Sequence, residues 1–268
     1  MRAVPTAAAG AVRRHWPEYL IEAFALGSFM ISAGAITTML ECPGSPLHAL
    51  LPDATLRRVC IGIGMGLTAI LLIHSPWGQR SGAHMNPAVT LAYLRLRRIA
   101  PGDAFWYTIA QFGGATAGTL FVRQLLGTAF SHPPVSHITT LPGSAGVPGA
   151  LLGEFAIAFV MMTMVLRVSA SSRYAGLTGY VAGLLVAVYI SIEAPLSGMS
   201  MNPARSFGSA FSAGDFRYYW LYLLVPLAAM LAAAELHLRL AAPLACAKLL
   251  HPATQRCIHC GHEPVPGV

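Results

Sequence analysis

Charge is scarce in this chain. Across 268 residues there are 17 basic and 10 acidic side chains, 10% of the total, against about a quarter in an ordinary soluble domain. A hydrophobic content of 55% and a mean hydropathy of +0.60 exclude disorder, a charge-laced coiled coil and a water-exposed globular surface. Lysine is nearly missing, since 16 of the basic residues are arginine and Lys248 is the exception. Cysteine is also sparse: five residues spread from Cys42 to Cys260 do not make a disulfide framework. No intramembrane cluster of His, Asp and Glu has catalytic spacing, so an enzyme lacks support. A polytopic membrane protein remains.

The net charge of +7 does not point to nucleic acid, because the arginines sit in the arm, the short loops and the tail rather than in a stripe with exposed aromatics. Arg2, Arg13 and Arg14 precede a run long enough to span, with no small-residue cleavage site, so a removed signal peptide is not expected.

Apolar runs at 19–40, 59–73, 104–122, 150–166, 174–192 and 218–234 each suffice, with their flanks, for the roughly 20 residues of a helical crossing. They are continuous rather than alternating, which favours helices over barrel strands. Two further patches, 86–94 and 202–211, are too short to cross. Each opens on the same tripeptide, Asn86-Pro87-Ala88 and Asn202-Pro203-Ala204. Asparagine caps a helix well, and proline at its first position loses no hydrogen bond, so each predicts a half-helix.

The two halves repeat. The stretch Ser81-Gly82-Ala83-His84-Met85-Asn86-Pro87-Ala88 aligns with Ser197-Gly198-Met199-Ser200-Met201-Asn202-Pro203-Ala204, and each half opens with a glutamate in an apolar run, Glu22 and Glu154. Three spans per half make the second copy enter from the opposite face, so the repeat is inverted. With the N-terminus cytoplasmic, that side carries twelve basic residues (Arg2, Arg13, Arg14, Arg80, Arg95, Arg97, Arg98, Arg167, Arg173, Arg239, Lys248, Arg256). The other side carries five (Arg57, Arg58, Arg123, Arg205, Arg217). The positive-inside rule then puts both termini in the cytoplasm.

Six spans, two Asn-Pro-Ala half-helices and an arginine directly after the second tripeptide resemble the aquaporin, or major intrinsic protein, family over about residues 15–240. The resemblance implies an all-α membrane fold: a right-handed bundle of six transmembrane helices plus two re-entrant half-helices in an inverted 3+3 repeat. It also implies a homotetramer in a lipid bilayer and passive passage of water or small uncharged solutes. The expected organisation is a cytoplasmic arm (1–18), a channel domain (19–240, with halves 19–126 and 149–240) and a flexible cytoplasmic tail (241–268). Neither cofactor nor metal is expected. The location implied is the plasma (inner) membrane of a bacterial cell.

The pore residues expected are Asn86, Pro87, Ala88, Asn202, Pro203 and Ala204. Two half-helices meeting at mid-bilayer aim their positive dipole ends at one point, and the asparagine amides there donate to a passing oxygen. An intramembrane arginine is a functional group, and carry-over by motif places Arg205 with Met65, Ile190 and Met199 in a selectivity filter. Residues 75–80 lengthen the loop after the second span, which bears on the register of Met65. This set lacks the aromatic and histidine of common water channels and the paired aromatics of glycerol channels. Ser206, Ala210 and the Tyr219-Trp220 pair look water-channel-like, whereas the segments around both tripeptides are similar to the plant nodulin-like branch and its bacterial relatives.

Three readings follow. The first is a water channel that excludes protons and ions; the second is a neutral-solute channel for glycerol, urea or undissociated metalloid acids. A third, from another class, is a proton-coupled transporter using Glu22 or Glu154, against which stands a structural role for both carboxylates as acceptors for loop amides. The pairs Gly62/Gly66, Gly114/Gly118 and Gly179/Gly183 suit close helix approach. In the tail, Cys257-Ile258-His259-Cys260-Gly261-His262 with His251 upstream has one knuckle of zinc-like spacing without a second pair, and reads as a reduced, unstructured segment. Cys42 and Cys60 flank the first loop, where pairing is open. His84 reads as a loop-packing residue.

Overall fold

The computed structural model describes residues 8–240, 244–252 and 254–263. Arg2, the rest of the first seven arm residues and parts of the tail (241–243, 253, 264–268) lie outside the described residues.

Eight principal helices follow in order: α1 (Ala8–Glu41), α2 (Ala54–His74), α3 (Pro87–Arg95), α4 (Pro101–Leu126), α5 (Gly146–Ser169), α6 (Thr178–Ile192), α7 (Pro203–Ala213) and α8 (Tyr219–Leu240). Five of them (α1, α2, α5, α8, and α6 with the short turn before it) are long and apolar enough to cross a membrane. The sixth long helix, α4, carries Asp103, Gln111 and Thr119 on its buried face. The α6 helix begins at Thr178, after a short 3-10 turn at Ala175–Leu177, four residues later than the apolar run suggests. The extra residues after α2 form a helical turn of their own, Pro76–Ser81, in which the Ser75 hydroxyl accepts from the Gly78 amide (2.9 Å).

The packing repeats as the sequence does. Helix α1 lies on α4 as α5 lies on α8, α7 lies on α4 as α3 lies on α8, and α2 pairs with its own counterpart α6. These are the pairings that a two-fold pseudo-symmetry relating the halves requires. Lipid offers no hydrophobic drive between helices, so close van der Waals approach must hold them together. At the α1–α4 crossing a Cβ on Gly114 would stand 2.0 Å from the carbonyl oxygen of Ala23; at the α2–α6 crossing one on Gly66 would stand 2.6 Å from that of Gly183. Only glycine fits either place. Outward-facing Leu20, Phe24, Leu71, Leu152, Leu184 and Leu224 are all exposed, giving the bundle an apolar girdle.

An even number of crossings returns the chain to the face where it began. On that terminal face Arg80 pairs with Glu18 (3.0 Å) and Arg95 with Glu235 (2.5 Å). The described tail residues return here too. Leu244, Ala247 and Leu249 are buried in the same cluster as Ala83 and Tyr93, which differs from the flexible tail expected, because apolar residues in this segment find an apolar mouth to cover.

Candidate functional site

The two short helices start at the middle of the bundle, tip to tip. Asn86 caps α3 by accepting from the Ala88 amide (2.8 Å); Asn202 caps α7 by accepting from the amides of Ala204 (3.1 Å) and Arg205 (3.2 Å). Each asparagine then spends one amide proton on the opposite half: Asn86 Nδ2 donates to the Met201 carbonyl (2.8 Å), and Asn202 Nδ2 to the Met85 carbonyl (2.7 Å). A side-chain amide has two protons, so one on each remains for whatever occupies the space between. Both Asn86 and Asn202 border the central cavity. Pro87 and Ala88, like Pro203 and Ala204, are buried behind the tips.

The loops that deliver these tips are strained in the same way. Gly82, Ala83 and Met85 have φ of 104°, 55° and 47°; Gly198, Met199 and Met201 have 84°, 50° and 54°. A side chain in the left-handed region costs about 1–2 kcal/mol per residue, so each loop needs external restraint. Glu22 accepts from Ser81 Oγ (2.7 Å), His84 N (3.1 Å), Met85 N (2.6 Å) and Gln111 Nε2 (2.8 Å). Glu154 accepts from Ser197 Oγ (3.0 Å), Ser200 N (2.6 Å) and Met201 N (2.8 Å). Tyr107 and Tyr222 complete the pattern, each donating at 2.6 Å to the carbonyl of Ser81 or Ser197. Neither carboxylate borders the cavity.

That cavity, of about 210 Å³, runs through the bundle. Met65, Ile190, Met199 and Arg205 all border it, and so does Ile61, one turn along α2 from Met65 toward the far face. Its wall is mainly apolar. The Arg205 guanidinium is held by the Thr140 hydroxyl, which itself bonds Ser206 Oγ (3.1 Å). In the loop beyond Arg205, His137 meets Ser212 Oγ (3.0 Å); partial burial and the neighbouring Arg123 push its imidazole below the ordinary histidine range.

Thr140, Gln111, Tyr107 and Tyr222 were not singled out from sequence. Gln111 and the two tyrosines carry a readable signal, polar groups inside apolar runs. Thr140 lies in an irregular loop and carries none. His84 is buried, bonding Thr90 Oγ1 (3.0 Å) and the Ala247 carbonyl (2.6 Å), and His74 packs against Tyr180 with ring centres 4.4 Å apart. Cys42 and Cys60 are not bonded to each other. In the tail, Cys246 joins His251, Cys257 and Cys260, bringing four ligand-type atoms within 4.8 Å of one another, where the sequence suggested a lone knuckle and no metal.

Residues 13–237 match the family model described as "Major intrinsic protein". The chain is 37% identical over 175 residues to Aquaporin NIP1-1 of Oryza sativa subsp. japonica, covering 65% of this chain and 60% of the relative. It is 34% identical over 171 residues to Aquaporin NIP1-2 of Arabidopsis thaliana, covering 62% and 58%. These matches thus span about three-fifths of the curated relatives' length. Among solved structures, the X-ray structure of the aquaglyceroporin from Plasmodium falciparum superposes with a TM-score of 0.69 at 20% identity, over 84% of this chain and 96% of that one.

Proposed function

The chain belongs to the major intrinsic protein family of multi-pass membrane proteins, and on that premise we propose that it is a passive channel for water, closed to protons and ions. The observation that carries this reading is the pair of reciprocally bonded asparagine tips, Asn86 and Asn202, facing one continuous cavity with Arg205 beyond them. A water between the tips accepts through its oxygen from both amides, so it cannot hand a proton onward. A cation meets two positive helix ends and a guanidinium. Met65, Ile190, Met199 and Arg205 form the selecting ring, and Glu22 and Glu154 hold the loops.

The apolar character of that ring favours a second reading, a channel for small neutral solutes such as glycerol, urea or undissociated metalloid acids. Ile61, Met65, Ile190 and Met199 offer alkyl contact to a carbon skeleton, while Arg205 and backbone carbonyls serve hydroxyls. The relatives named aquaporins and the aquaglyceroporin-like fold are compatible with either. A proton-coupled transporter is disfavoured, because both glutamates are held by fixed loop donors and neither borders the cavity. The family argues against an enzyme.

In this reading the terminal face is cytoplasmic, by the arginine distribution, and four copies associate in the plasma membrane. Residues 19–240 are the channel domain. Stopped-flow light scattering on proteoliposomes, comparing water with glycerol, urea and boric acid, decides between the two solute readings. A flux no greater than that of empty liposomes for all four, from the wild type and equally from a variant whose tail no longer covers the cavity mouth, would refute both.

A further inference from the structure

Cys246, His251, Cys257 and Cys260 place three sulfurs and an imidazole nitrogen mutually within 4.8 Å, with Cys246 Sγ to Cys257 Sγ at 3.3 Å and His251 Nε2 to Cys260 Sγ at 3.1 Å. None of the cysteines is disulfide-bonded, and 3.3 Å is far beyond the roughly 2.05 Å of an S–S bond. Zinc–sulfur bonds of about 2.3 Å and zinc–nitrogen bonds of about 2.0 Å arranged tetrahedrally put ligand atoms roughly 3.5–3.8 Å apart. These two pairs fall a little inside that edge length, and the remaining pairs lie within 4.8 Å. Around them the chain has the turn such a site needs: Gly261, at φ 73°, follows the second cysteine of the Cys257–Cys260 pair, and its amide donates to the Cys257 carbonyl (3.0 Å). Cys246 and Cys257 are buried while His251 is exposed, so the inner ligands are sheltered and one side stays open for entry.

We propose that these four residues bind one zinc ion, and that the knuckle so formed holds the cytoplasmic mouth of the channel shut. Three soft thiolates and one imidazole suit zinc over calcium or magnesium, which seek oxygen. The second half of the proposal rests on the channel reading and on where the loop between the first two ligands goes. Between Cys246 and His251, the Ala247 carbonyl bonds His84 Nε2 (2.6 Å), the Leu249 amide donates to the Gly82 carbonyl (3.2 Å), and Leu249 borders the central cavity. His259, inside the knuckle, bonds the Ser81 carbonyl (3.1 Å) and stacks on His84 at 5.8 Å. Metal thus ties both ends of the segment that seats Leu249 in the mouth. A ligand that binds the docked tail better than the undocked one must stabilise docking.

The test uses the full chain purified without a metal-affinity step and checked for monodispersity. Elemental analysis is expected to give one zinc per chain, lost in Cys257→Ser/Cys260→Ser. Cobalt exchanged into the wild type should show a thiolate charge-transfer band with tetrahedral ligand-field intensity. Substoichiometric zinc together with no such band overturns the site, as does mass spectrometry showing a Cys246–Cys257 disulfide in the purified protein. For the mouth, a chelator given access to the tail should raise liposome water flux in the wild type and leave Leu249→Ala, already open, unchanged. Bound zinc with a flux indifferent to chelation overturns the gate and leaves the site standing. No flux from any variant, Leu249→Ala included, fails the channel reading instead, and the metal content is read separately from it.

Discussion

The two pore asparagines each serve three partners: a capped helix, the opposite loop and the cavity. Asn86→Asp keeps the cap oxygen but removes the proton donated to Met201, and it sets a carboxylate between two positive helix ends. The charge is stabilised there by the same dipoles that repel cations, so the barrier to cations falls. Asn86→Asp and Asn202→Asp should each give a cation leak or fail to assemble. Conductance in planar bilayers alongside liposome water flux checks this; normal water flux with no leak would remove the amides from the centre of the argument.

Glu22 shows how a buried carboxylate can be structural. It accepts four hydrogen bonds, two from backbone amides of a loop with three left-handed residues. Glu22→Leu strands those donors at about 1–3 kcal/mol each and should unfold the loop, seen as a lowered detergent melting temperature. Glu22→Gln keeps one acceptor and the shape, so most water flux should survive. If Gln abolished flux in an intact assembly, the proton-carrier reading would gain ground. At the ring, Arg205→Val removes bulk and charge together and should raise glycerol flux relative to water. Ile190→His narrows the ring, adds a donor and should lower it. An unchanged ratio in both variants would place the constriction elsewhere.

Among elements, the half-helices and long spans were legible because their causes are local: apolar length, an asparagine cap and a proline at the first position. The partners were not local. Glu22 was visible as a charge in an apolar run, but that Gln111, 89 residues later, shares it follows only from α1 lying on α4. Thr140 reaches Arg205 from a loop with no periodicity. Cys246 lies 11 residues before Cys257 and fits no short motif, so the tail looked like one knuckle with His251 upstream until docking brought Cys246 to the other three. Glycine spacing, in contrast, told which faces meet. Gly114→Ala would drive a methyl to 2.0 Å from the Ala23 carbonyl, while a Cβ at Gly113 meets nothing within 4 Å. Overpacking of this kind costs about 1–3 kcal/mol. Gly114→Ala should therefore lower the melting temperature clearly and Gly113→Ala hardly at all; equal effects would mean that α1 and α4 are not in contact there.

For the molecule as a whole, the question is whether the inverted halves rock against each other or stay fixed. Inverted repeats with broken helices serve both transporters and channels, so symmetry alone does not decide. Rocking needs the two halves to separate at the midplane, alternately on each side. Here the midplane is where they are bonded to each other, Asn86 to Met201 and Asn202 to Met85. The flanking contacts are equally closed, with α2 and α6 touching through backbone at Gly66 and Gly183. Two hydrogen bonds at about 1 kcal/mol each plus loss of that packing would have to be given up in every cycle. A fixed bundle avoids this, and once the tail leaves the cytoplasmic mouth conduction costs only what the solute loses in solvation along the wall. Water flux should accordingly show a weak temperature dependence, near that of free diffusion, and should be unaffected by a pH gradient across the liposome. A steep temperature dependence, or a flux that follows the gradient, would mean that the halves move and that a proton is coupled to the solute.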